Sequence, residues 1–159
     1  MTQPSRDHQY RVTVEWQGNR GEGTAHYRAY GREHVIGAAG KPPIAGSADP
    51  AFRGDAARWN PEELLVASVS ACHKLWYLHL CAKAGIAVLA YEDAAEGVMT
   101  EEPGGSGRFT RITLKPRVVI RAGDDAARAE ALHQEAHRFC FIANSVNFPI
   151  LCAPEIVSA

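Results

Sequence analysis

The sequence has almost no net charge to offer a partner. Its 17 Lys and Arg stand against 18 Asp and Glu, a balance of −1 with seven His taken as neutral. No field favours nucleic acid, an anionic membrane or an acidic ligand. Long apolar runs are lacking too. The longest stretch free of charge and histidine beside a helix candidate is 64–72, far below the ~20 residues of a bilayer span. The opening MTQPSRDHQYRV has no apolar h-region, so no secretory signal is read. Internal repeats and low-complexity tracts are absent. Four cysteines without such a signal point to a reducing, cytoplasmic setting, where thiols are structural, catalytic or metal-bound rather than permanent cross-links. What is present is 159 residues, 46% hydrophobic. That supports an ordinary core and excludes wholesale disorder. The size favours a single domain over 1–159, with 1–9 as a frayed polar leader.

Residues 10–16 alternate apolar and polar, the period of a half-buried strand. A turn with three glycines (17–23) leads to a second strand-like stretch at 24–30, which predicts a hairpin. His34-Val35-Ile36 reads as a short third strand. Residues 37–58 show no periodicity, a length of chain that is commonly functional or wraps another subunit. Asn60-Pro61-Glu62-Glu63 is a helix start: Asn60 as cap, Pro61 at N1 and Glu63 placed for a capping box. The helix is predicted to run to about Ala84, with Gly85 just past its end. Its body is apolar or small almost all round, the pattern of a buried central helix. A strand from Ile86, continuing to Met99, and a long strand over 109–121 follow, with Pro116 marking an edge or bulge. Asp124 or Asp125 caps a second helix reaching about Ala143, and 146–151 is a last strand. The order predicts an α+β fold with a mostly antiparallel sheet.

Cys72 lies mid-helix, eleven residues past Pro61, beyond the reach of the helix N-terminus. By itself it is a small hydrophobe of a core helix, and a reactive Cys72 needs a cation from elsewhere. Cys140, near the end of the second helix, reads alone as a packed thiol; Cys81 and Cys152 read as structural. His133, His137 and Cys140 are spaced i, i+4, i+7, within roughly 60° on a helical wheel, a plausible spacing for three metal ligands. They define an alternative: a metal-binding protein. His73 and His79 read as packing residues. Arg20, in the glycine-rich turn, is either a solvated residue or a guanidinium held on a rigid loop to polarise an anion or peroxide oxygen. Trp76, Tyr77, Phe139, Phe141 and Phe148 are candidates for an apolar pocket as well as for core. A non-catalytic small-molecule binding protein is a third reading.

Arg58-Trp59-Asn60-Pro61-Glu62-Glu63-Leu64-Leu65 followed by Ser70-Ala71-Cys72-His73 resembles the OsmC/Ohr family, the osmotically inducible and organic hydroperoxide resistance proteins, which are thiol peroxidases. Glu135-Ala136-His137-Arg138-Phe139-Cys140, then Ala143-Asn144-Ser145, is similar to the family's second-cysteine region. The likeness spans about 10–152. It implies an intertwined homodimer with active sites at the subunit interface, Cys72 as the peroxidatic cysteine and Cys140 as the resolving one. Glu62 matches the family's active-site Glu. Arg20 is the best match to its Arg, with Arg28 and Arg32 as alternatives in register. The implied substrate is an organic hydroperoxide, with hydrogen peroxide a second candidate, and the implied reductant is an external dithiol. No metal or organic cofactor is called for, because sulfur supplies both electrons. The chain departs from the Ohr branch after the second cysteine, where Phe141-Ile142-Ala143 stands in place of the typical Pro-Tyr-Ser. In an unbroken helix, ten residues separate Glu62 from Cys72 by about 15 Å along the axis. Either the helix breaks or Glu62 reaches the site from the partner subunit, and the second is expected.

Overall fold

The computed structural model describes residues 6–159, and the chain divides into two compact units, Met1–Pro61 and Glu62–Ala159. Residues 1–5 of the expected leader lie outside the described residues, and 6–9 carry no regular structure.

In the first unit, β1 (Thr13–Trp16), β2 (His34–Gly37) and β3 (Ile44–Gly46) form an antiparallel sheet in that order. The expected hairpin between 10–16 and 24–30 is not formed. Thr13 faces Gly37 and Trp16 faces His34, so β1 takes the predicted third strand as its partner. Residues 24–30 are turns instead, because Arg32 takes their carbonyls. Its guanidinium donates to Tyr27 O and Tyr30 O and lies over both rings, 4.5 and 4.0 Å from the centroids. The 37–58 stretch is not structureless: it contributes β3 and a short 3-10 turn, Pro50–Phe52, capped by the Asp49 carboxylate. β1 packs little of its apolar surface, with Val14 66% and Trp16 43% exposed, and Val12 just before it is 67% exposed.

The second unit carries α1 (Pro61–Lys83) and α2 (Ala126–Phe139) with two three-stranded sheets. α1 runs unbroken and ends as predicted, with Gly85 at φ +75, a conformation that favours glycine. Length and composition alone would let α1 cross a bilayer, but Tyr77, Leu80 and Cys81 sit in a core with Ile86, Val118, Ile120 and Leu132. The expectation of a helix buried all round is corrected. Only Val69, His73, Tyr77, Leu80 and Cys81 are buried, and Leu75 is 62% exposed.

The two long strands of the sequence reading are each broken in two: β4 (Val88–Asp93) and β5 (Glu96–Glu101), then β6 (Gly107–Leu114) and β7 (Pro116–Ile120). The second break falls at Lys115, whose backbone N–H donates to Asp93 Oδ1 (2.7 Å), beside Pro116. Proline has no N–H to continue a ladder, and the Asp93 carboxylate takes the N–H freed at the corner. β4 then pairs with β7, and β5 with β6, both antiparallel. β8 (Ile150–Cys152) adds to β6 and β9 (Glu155–Ser158) to β7, both parallel. The fold is α+β with mostly antiparallel pairing, as expected, and β8 and β9 are the two parallel additions. α2 starts at its Asp125 cap, whose carboxylate accepts from Arg128 N–H, and ends at Cys140 rather than Ala143. A second cluster gathers Val69, Ile112 and Leu114 with Phe109, Phe148 and Ile150.

Candidate functional site

Cys72 sits near the middle of α1, half-buried. Cys140 stands at the C-cap of α2, where the chain leaves the helix with φ −63, ψ 112. This turn buries Cys140 completely and sets its sulfur beside Cys72. Two cysteines 68 positions apart are thus neighbours, and all four cysteines are free thiols. Burial pushes the Cys140 thiol up, as does the neighbouring Cys72. The Ala143 N–H, donating to Cys140 Sγ at 3.4 Å, acts in the opposite sense.

An aromatic rim flanks the pair. Trp76, one turn beyond Cys72, stacks on Phe139 (5.2 Å between centroids) and meets Phe141 edge-on (5.5 Å). Phe139 is 41% and Phe141 67% exposed, so these rings form an apolar surface beside the thiols. The other two aromatic candidates are core. Tyr77 is fully buried and donates to Ala129 O (3.0 Å), and Phe148 stacks on Phe109.

Glu62 lies in the first turn of α1, half-buried. With α1 continuous, the alternative that the helix breaks between Glu62 and Cys72 is removed. Arg20 occupies a turn braced by Asn19, whose Oδ1 accepts from Gly21 N–H (2.9 Å) and Gly23 N–H (3.0 Å). Its ion partner in the first unit is Glu33, at 3.7 Å and with Arg20 62% exposed, a contact of small energetic weight. Arg32 is committed to the Tyr27 and Tyr30 cage, and Arg28 is exposed.

The metal-ligand triad of the sequence reading does not assemble. His137 is exposed and Cys140 belongs with Cys72, whereas His133 is buried against His73. Among the described residues the donors that converge are His73, His133 and Cys152, within 4.8 Å of one another. His73 Nε2 and His133 Nδ1 are 3.0 Å apart, and the His133 ring stacks on Tyr77 at 3.8 Å. Burial lowers His73 to about 4 and His133 to about 3, so neither ring is charged at neutral pH. Burial raises the Cys152 thiol to about 12, and Asp93 adds to the rise. Sequence reasoning placed these three apart because they lie on α1, α2 and β8. Of the three, only His133 was read as a candidate metal ligand, and with His137 and Cys140 as its companions.

Residues 54–153 match the family model described as OsmC-like protein. No curated protein matches the chain. An OsmC-like protein of unknown function from Vibrio cholerae is 30% identical, with a TM-score of 0.84 over 93% of this chain and 99% of that one. An organic hydroperoxide resistance protein OsmC from Legionella pneumophila (18% identity, TM-score 0.67, 95% and 99% covered) shares the fold. So does an organic hydroperoxide resistance protein from Elizabethkingia anophelis (17%, 0.67, 97% and 100%).

Proposed function

This chain belongs to the OsmC family, and we propose that within it the protein is a thiol-dependent peroxidase that reduces organic hydroperoxides. The observation that carries the reading is the direct neighbourhood of Cys72 and Cys140, one half-buried and one fully buried, beside an apolar aromatic rim. In a cell's reducing interior a buried thiol pair has a use when one sulfur is oxidised and the other resolves it.

The Cys72 thiolate attacks one peroxide oxygen and breaks the O–O bond. The alcohol leaves with a proton and Cys72 becomes a sulfenic acid. The Cys140 thiol then condenses with it, a disulfide forms and water leaves. An external dithiol restores both thiols by exchange and is itself oxidised to a disulfide. Electrons come from sulfur throughout. Cys140, whose thiol is pushed up by burial, stays protonated until the sulfenic acid forms, which suits a resolving rather than an attacking role.

Arg20 is the guanidinium proposed to hold Cys72 ionised and to polarise the peroxide. Its support is the family resemblance and the braced turn that presents it. Glu62 orients that arginine by a carboxylate pair. Because α1 is continuous, about 15 Å of helix axis separates Glu62 from Cys72 of the same chain. Glu62 therefore reaches a given Cys72 from a partner subunit, and the working unit is an intertwined homodimer. The exposed apolar surface of β1 and α1 is what such a partner would cover.

Stopped-flow mixing of the reduced protein with hydrogen peroxide, an alkyl hydroperoxide and a fatty-acid hydroperoxide tests the reading. The organic peroxides are expected to oxidise Cys72 fastest, and Cys72→Ser is expected to abolish consumption. Undiminished consumption by that variant contradicts the proposal.

A further inference from the structure

His73, His133 and Cys152 take no part in the thiol chemistry, yet they bring three ligand atoms of metal-binding type within 4.8 Å of one another. Each comes from a different element: α1, α2 and β8. Both rings are buried, at 1% and 2% exposure. His133 Nε2 is buried without a hydrogen-bond partner among the described residues.

From this convergence we propose that His73, His133 and Cys152 form a binding site for a single divalent cation of the zinc class. Two imidazoles and a thiolate are the donor set such ions select. Ligand atoms around tetrahedral zinc lie about 3.3–3.8 Å apart, given bonds of about 2.0–2.3 Å. The 3.0 Å between His73 Nε2 and His133 Nδ1 is already close to that spacing. The charges also suit. One thiolate and the nearby Asp93 carboxylate, which acts on both His73 and Cys152, offset two positive charges. Asp93 is itself held by Ser70 Oγ–H and Lys115 N–H, an outer shell of the kind metal sites need. Entry is open: a groove of about 960 Å³ is lined by His133, His137, Arg138, Leu151 and Cys152, and water from it completes the coordination. Neither Cys72 nor Cys140 is among the three donors, so the proposed cation and the proposed peroxidatic pair use different thiols. Binding releases the Cys152 proton, with no change of oxidation state.

Cobalt(II) is the probe. Untagged, chelator-treated full-length Cys72→Ser/Cys140→Ser protein is titrated with it, so that the peroxidatic thiols cannot contribute. A thiolate-to-cobalt charge-transfer band saturating at one ion per chain is expected. Adding Cys152→Ser is expected to remove the band, and adding His137→Ala to keep it. Zinc is expected to raise the melting temperature of the wild-type protein but not of Cys152→Ser. A parent variant that folds but gives no band, or a band that survives Cys152→Ser, overturns the proposal.

Discussion

At the scale of the residue, burial decides the chemistry of the interior histidines and cysteines more than their neighbours along the chain do. His73 and His133 are the sharpest case. Their pKa values fall from 6.5 to about 4 and about 3, chiefly by desolvation, each reinforced by a neighbouring histidine (His137 for His73, His73 for His133) and opposed at His73 by Asp93. Tyr77 stacks on one face, and Tyr91 and Cys152 complete the surroundings of Asp93. The unfolded chain takes up protons below about 6.5 and the folded one does not until near 4, so stability falls as pH drops through that window. Metal-free protein is expected to lose on the order of 3 kcal/mol for each ring between pH 7 and pH 4. His133→Gln should flatten part of that slope in urea melts at a series of pH values, and an equal slope in that variant would contradict the assignment. In the sequence the two histidines gave no sign of this, since a pair on separate helices becomes one buried unit only when α1 packs on α2.

At the scale of the element, helices were more legible than strands. Asn60-Pro61-Glu62-Glu63 and Gly85 marked both ends of α1 within a residue or so, because caps are local chemistry. The strand at 24–30 was misread because alternation is necessary for a strand but not sufficient, and Arg32 captured its carbonyls. The breaks at Ala94 and Lys115 depend on a corner closed by Asp93, which joins parts of the chain 22 positions apart. β9 went unread because Ile156 and Val157 make too short an apolar run. The packing of α2 on β7 and α1 rests on Leu132, 1% exposed within the first core cluster. Leu132→Ala is expected to cost about 2–5 kcal/mol in chemical denaturation, with the denaturant slope unchanged. A loss below about 1 kcal/mol would mean that this contact does not hold the helix.

At the scale of the whole molecule, the proposed site was legible in part. Cys72, Cys140, Glu62 and Arg20 were all named by resemblance, and the fold makes neighbours of the two cysteines. Sharing of sites between subunits is a separate expectation with its own test. Mixing inactive Glu62→Gln with inactive Cys72→Ser protein should restore about a quarter of wild-type activity by random exchange of subunits, since each mixed dimer has one intact site. No recovery, in a mixture shown by native mass spectrometry to contain mixed dimers, would place Glu62 outside the partner's site. Above all, the proposed chemistry requires that Cys72 and Cys140 of one chain form a redox pair driven by peroxide. The most direct measurement is peptide mass mapping, without reduction, after one equivalent of an organic hydroperoxide. A Cys72–Cys140 link within a single chain is the predicted result; a link through Cys81 or Cys152, or four thiols left intact, would contradict it.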